Sequence, residues 1–255
     1  MREQIHGTTM PVLSVHLDPG ESVVAEAGEF SWMTDSIQMS TPAPAGLGGG
    51  VGGRGLMGAL KRVISAPSPL MSTYTAQGCP GTITFAAKVP GSILPVDVGP
   101  GAEYLVHRHA FIAGTPGVEV SAGFQQSFRA GIFAGAGFVL HRLGGQGRAW
   151  AELSGHVIPH ELVAGQSLRV HPGHVGMFRT SVSFQVVRVP GVANRYFGGD
   201  AHYFAELSGP GTVWLQSMPQ PQLAASLVPY LPAAQDRPEP VEGGLVGGIM
   251  GDVLT

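Results

Sequence analysis

The chain is poor in cysteine, in charge and in long apolar runs, and each shortage excludes something. Cys79 is the single cysteine in 255 residues, so no internal disulfide is possible, which fits a reducing compartment. Charged residues make up 12% and the net charge is -3. The 14 Lys and Arg are scattered, with no run longer than Lys61-Arg62, so the sequence carries no nucleic-acid footprint. No stretch of 18 apolar residues occurs, which argues against a membrane-spanning helix. The first residues, Met1-Arg2-Glu3-Gln4-Ile5-His6-Gly7, lack the apolar core of a secretory signal. A cytoplasmic location is the expectation.

Glycine and proline, by contrast, are abundant: together they are 60 of the 255 residues. From residue 70 to 216, short β-rich runs are split by Gly and Pro at the spacing of a sandwich or barrel. Upstream, Val12-Leu13-Ser14-Val15-His16-Leu17, a turn at Asp18-Pro19-Gly20, residues 22–25 and residues 30–33 read as strands. Helical spacing enters after Pro219, where Leu223, Leu227 and Leu231 recur every fourth residue. This predicts a short helix over 220–231, packed back on the sheets and distorted near Pro229. The organisation expected is a β domain over 1–219, then helix, linker and a Gly-rich apolar tail over 220–255.

Internal similarity organises the β region. A shift of 64 positions superposes Gly165 on Gly101, Val170 on Val106, His171 on His107, Leu207 on Leu143, Gly211 on Gly147 and Trp214 on Trp150. A fainter copy begins at Gly20 and closes at Gly81, lengthened by a Gly-rich insertion near 46–60. About three repeats are expected, each one β unit.

Alternation assigns faces. The closing strands present Ile83 and Phe85, Ala149 and Ala151, Val213 and Leu215 to the core. Their other face carries Thr84, Trp150 and Trp214 at equivalent positions. Two tryptophans on a polar face need cover, so Trp150 and Trp214 are expected at a subunit or repeat boundary, as candidates for an oligomer interface, or beneath a loop or the C-terminal helix. Leu56 and Leu60, within 46–64, are two further interface candidates. On the opening strands, His107, His109 and His171 point away from the core face of Tyr104, Val106, Leu168 and Val170.

Histidine is the sharpest chemical candidate. Gly101, five residues, then His107-Arg108-His109 matches the opening of a cupin metal motif, and Pro172-Gly173-His174 loosely follows its second part. Imidazoles two apart on a strand share a side and suit a divalent metal. Against this, no carboxylate follows His109 at four or five residues, and the position of His107 and His171 is Glu26 in the first copy. The metal candidates are therefore His107, His109, His171 and His174, while the expectation is no metal, no cofactor and no catalytic residue. His156 and His160 read as loop residues. No Gly-x-Ser-x-Gly occurs, and the glycine run at 46–55 lacks the Lys-Ser or Lys-Thr of a phosphate loop.

The motifs Gly131-Ile132-Phe133-Ala134-Gly135, Arg169-Val170-His171-Pro172-Gly173-His174 and Leu207-Ser208-Gly209-Pro210-Gly211-Thr212-Val213-Trp214-Leu215-Gln216, with the Gly-rich tail, resemble the altered-inheritance-of-mitochondria family. That resemblance covers about residues 10–219 and the tail. It implies an all-β fold similar to the tryptophan RNA-binding attenuation protein (TRAP-like), an antiparallel β-sandwich or double-stranded β-helix, often assembled as a trimer. It supplies no catalytic residues, and RNA binding does not transfer with a fold.

These readings lead to a non-enzymatic scaffold or interaction protein acting as a homo-oligomer, with a trimer expected. The segments 46–64 and 243–250 offer a protein or membrane-surface contact. A cupin-like metal-dependent enzyme and a peripheral membrane organiser are the alternatives.

Overall fold

A computed structural model of the chain describes residues 1–41, 70–126, 138–188 and 203–231. Nineteen strands run in order: β1 (Arg2–His6), β2 (Val12–Leu17), β3 (Ser22–Glu26), β4 (Trp32–Met33), β5 (Ile37–Ser40), β6 (Met71–Ala76), β7 (Gly81–Ala86), β8 (Gly91–Val98), β9 (Tyr104–His107), β10 (Phe111–Gly114), β11 (Val118–Gln126), β12 (Phe138–Gly145), β13 (Gly147–Ser154), β14 (Val157–Leu162), β15 (Ser167–Val170), β16 (Val175–Arg179), β17 (Ser183–Arg188), β18 (Tyr203–Ser208) and β19 (Gly211–Gln216). The fold is all-β and every named strand pairing is antiparallel.

Sequence alternation explains the strands directly. In β2, Leu13, Val15 and Leu17 are buried while Val12, Ser14 and His16 are half-buried. The turn into β3 needs a left-handed residue, and Gly20 supplies it at φ +85°.

One pairing scheme is used three times. Within β2–β7, β8–β13 and β14–β19, the first strand pairs the last: β2 with β7, β8 with β13, β14 with β19. The second pairs the fifth: β3 with β6, β9 with β12, β15 with β18. The third pairs the last and the fourth pairs the fifth in each set. Successive sets are joined by β3 with β10 and by β9 with β16. Two six-stranded sheets result, each half from one set and half from the next. The remaining halves stay apart as a four-stranded sheet β1-β2-β7-β4 and a three-stranded sheet β15-β18-β17.

Three hydrophobic clusters follow these sets. The first combines β2–β7 residues such as Leu13, Val23 and Phe85 with Ile93, Ala113 and Trp150 of the second set. The second centres on Tyr104, Val106, Phe111 and Leu153 and takes Met177 from the third set. The third holds Val170, Phe178, Leu207 and Val213 with Phe138 and Leu140. The second set thus contributes to the clusters on both sides of it, through Ile93, Ala113 and Trp150 to the first and through Phe138 and Leu140 to the third.

That arrangement puts Trp150 at the boundary between two sets and corrects only its reading as an oligomer contact. The indole is fully buried inside the chain, in the first cluster, so it is not an oligomer contact. Ala149 and Ala151, on the opposite face of β13, lie in the second cluster: the strand is buried on both sides. The Trp150 Nε1–H donates to Glu3 Oε2 at 2.7 Å, and Arg148 meets Glu3 Oε1 at 2.8 Å. β1, which adds a strand to the outer edge of β2, thus supplies a hydrogen-bond acceptor that alternation in β13 could not reveal. Trp214 is partly buried against the second cluster, its ring 5.9 Å from that of Tyr104. Leu56 and Leu60 lie outside the described residues.

Beyond the strands, α1 (Gln220–Leu227) ends before the spacing predicts, and Val228–Tyr230 forms a 3-10 turn around Pro229. No residue of α1 is buried. No helix among the described residues is long and apolar enough to cross a membrane.

Candidate functional site

The histidines gather where the second set meets the third. His107 ends β9, between Leu140 of β12 and the β16 strand. A turn closed by Ala110 N–H donating to His107 O at 2.8 Å brings His109 back beside it. The two rings are 5.8 Å apart. From β13, Glu152 enters the same small cleft, and Ser154, Gly173 and Gln216 complete its wall. The enclosed volume is about 20 Å³, room for roughly one water.

Wiring around this cleft is nearly complete. Glu152 Oε1 accepts the backbone N–H of Lys88 at 2.9 Å and of Val89 at 3.2 Å, while burial raises its carboxyl above the usual range. Gln216 accepts the Ser154 N–H through Oε1 at 3.0 Å and donates through Nε2 to Gly173 O at 3.0 Å. His174 Nδ1–H donates to Gln216 O at 2.8 Å. Burial, then the neighbouring cationic side chains, lowers both His107 and His109 to about 4, and His141 is lowered for the same reasons. All three imidazoles are therefore neutral near pH 7.

Neutral imidazoles are the form a metal requires, yet the donors diverge. His109 Nε2 accepts the Arg108 Nε–H at 2.9 Å, which occupies one of its two ring nitrogens. His171 and His174 pair with each other, rings 5.9 Å apart. Among the described residues no group of three His, Cys, Asp or Glu is arranged to hold a metal. His160 lies in β14 rather than in a loop.

The equivalent position in the first set belongs to Glu26. Its carboxyl sits at the end of β3, with Oε1 buried and lacking a hydrogen-bond partner among the described residues. Burial, with the nearby Glu29 charge adding to it, pushes it up to about 7. Lys88, which opposes the rise, is held 2.6 Å away on Glu29 Oε1.

The family model for mitochondrial biogenesis AIM24 matches residues 3–218. The chain belongs to that family. Within its fold, an uncharacterised protein of Streptococcus pyogenes serotype M6 is 24% identical over 231 residues, 89% of each chain. An X-ray crystal structure of a Streptococcus pyogenes protein superposes with a TM-score of 0.71 at 21% identity, covering 90% of this chain and 99% of that one. At that identity the likeness speaks for the AIM24 fold alone.

Sequence reading misses His141 in this family member, and it offers Glu152, with Glu161 and Glu206, only as a possible acid or base without placing it beside the histidines. His141, in β12, enters the histidine group through strand pairing with Val106, which no local spacing announces. Glu152 and Gln216 share one position in the 64-residue shift, a signal that was available and marks the cleft wall.

Proposed function

We propose that this protein is a non-enzymatic, cytoplasmic scaffold that works by self-association, as a trimer. The observation that carries this is a set of exposed apolar side chains on strands and their turns, in a chain short of charge. Trp32 is 56% exposed, Val163 68%, Met39 48% and Ile158 47%, while only 12% of residues are charged. Aromatic and methionine side chains such as Trp32 and Met39 are enriched where proteins meet. The polar cleft supports the same reading from the other side: its volume admits about a water, and its donors are already engaged with one another. Size-exclusion chromatography with light scattering tests it. A mass three times that of the 26.4 kDa chain is expected, and a monomer at micromolar concentration overturns it.

One observation favours a second reading, a cupin-like metal-dependent enzyme: His107, His109 and Glu152 line a single cleft. Elemental analysis of tag-free protein decides, since stoichiometric metal lost in His107→Ala would reverse the order of the two readings. The segments 46–64 and 243–250, which carry the membrane-organiser reading, lie outside the described residues. Flotation with liposomes, with and without both segments, addresses that reading.

A further inference from the structure

The third seam of the pairing scheme is open. β10 closes on β3 with Ala113 opposite Ala25, and β16 closes on β9 with Met177 opposite Val106. By the same rule β4 should close on β15, with Trp32 opposite Val170. The pairing of Trp32 with Thr84 in β7 matches that of Ala113 with Trp150 in β13 and of Met177 with Trp214 in β19, which fixes the register. Among the described residues no pairing joins β4 to β15. Ala113 and Met177 are fully buried, each completing a cluster beside its partner. Trp32, in the same place, is largely exposed, and the third cluster contains no residue of the first set.

The other strand edges are dealt with differently. β8 and β14 are equivalent outer edges, and each carries proline at one register position: Pro95 opposite Trp150 and Pro159 opposite Trp214. Proline cannot donate to an added ladder and guards an edge against pairing. At the equivalent place in β2 stands Ser14, and that edge is covered by β1, with Gln4 opposite Ser14. Edges β5, β11 and β17 recur identically in all three sets and so do not distinguish one seam from another. β4 and β15 contain neither proline nor lysine, and among the described residues neither has a covering strand.

Resting on the self-association proposed above, we infer that β4 of one copy pairs with β15 of a second copy, setting Trp32 of one chain on Val170 of the other. The contact repeats in trans the ladder the chain already makes twice in cis, and Trp32 completes the third cluster as Met177 completes the second. It is heterologous, one edge meeting a different edge, so copies joined this way form a closed ring where the rotation from one to the next adds up to a full turn. A ring of three gives the trimer.

The test mixes two single variants in a Cys79→Ser background, Trp32→Cys and Val170→Cys, under mild oxidation. Residues facing across a ladder come within disulfide reach. A covalent heterodimer from the mixture, absent from either variant alone, is the expected result. The double variant crosslinking within single chains, or no crosslink in the mixture, overturns the inference. Trp32→Arg is the companion variant, since an exposed side chain leaves the fold intact: self-association should weaken at least tenfold with the far-UV circular dichroism unchanged. Wild-type mass is measured first, so a monomeric wild type refutes self-association itself. An oligomer that survives Trp32→Arg and yields no heterodimer refutes only the seam.

Discussion

Replacing Glu26 by glutamine should make the protein more resistant to alkali, by an amount that follows from the site. The Glu26 carboxyl titrates near 7 in the folded chain against 4.5 in the unfolded one, chiefly because it is buried and secondly because of Glu29. The folded state therefore keeps a proton that the unfolded chain releases early. The stability this provides is full below pH 4.5 and is lost as pH rises through 7. Each factor of ten in proton affinity is about 1.4 kcal/mol, so the interval from 4.5 to about 7 sets a ceiling of about 3.5 kcal/mol. Because the side chain is only partly buried, solvent screening reduces this to about 1–2 kcal/mol. Glutamine keeps the shape and cannot ionise. Urea unfolding of both proteins at pH 4.5, 6, 7 and 8 should show the variant gaining on the wild type by that amount across the series. Subtracting one protein from the other cancels the histidines, whose lowered values act with the opposite sign. A difference between the two that stays flat within about 0.5 kcal/mol from pH 4.5 to 8 refutes the reasoning.

Four further outcomes are expected. His107 titrates near 4 when folded against 6.5 when unfolded, so stability falls as pH drops from 6.5 through 4; His107→Gln should flatten that loss in acid unfolding curves. Trp150→Ala removes a fully buried indole and its bond to Glu3 and should cost about 3–5 kcal/mol in denaturant titration. Gly147→Ala places a Cβ 2.0 Å from Thr115 Oγ1 at φ +150° and should lower stability by about 1–3 kcal/mol, read as a falling melting temperature. Pro159→Val unguards the edge of β14 and should raise light scattering at high concentration without changing the melting temperature, since Pro159 is exposed.

The all-β architecture was legible because aliphatic residues alternate cleanly in stretches such as 12–17 and 104–107. The repeat shift placed His107 and His171, and Trp150 and Trp214, at matching positions, and the pairing of β9 and β15 agrees with that. What alternation cannot express is that a strand may be buried on both faces. Trp150 looked like a residue in need of a neighbouring subunit because its face also holds Arg148 and Glu152. Its cover comes from first-set residues such as Leu13, Val23 and Phe85, and its hydrogen-bond acceptor from Glu3 of β1, more than 140 residues away. His160 was misplaced for a related reason: Pro159 suggested a loop, whereas an edge strand tolerates proline on its open side. The C-terminal helix kept its predicted start and lost its end at the turn around Pro229. Of the cleft, the histidine pair was readable from spacing, but Arg108 claiming the His109 ring is a matter of side-chain geometry.

The prolines at positions 95 and 159, together with the borrowed strand on β2, give the molecule a direction. Lateral growth is blocked along three rims, while the two termini of the array differ from each other, as a hook differs from an eye. Under the proposed joint between β4 and β15, copies would add nose to tail, and a change in its angle would convert a closed ring into an open fibre.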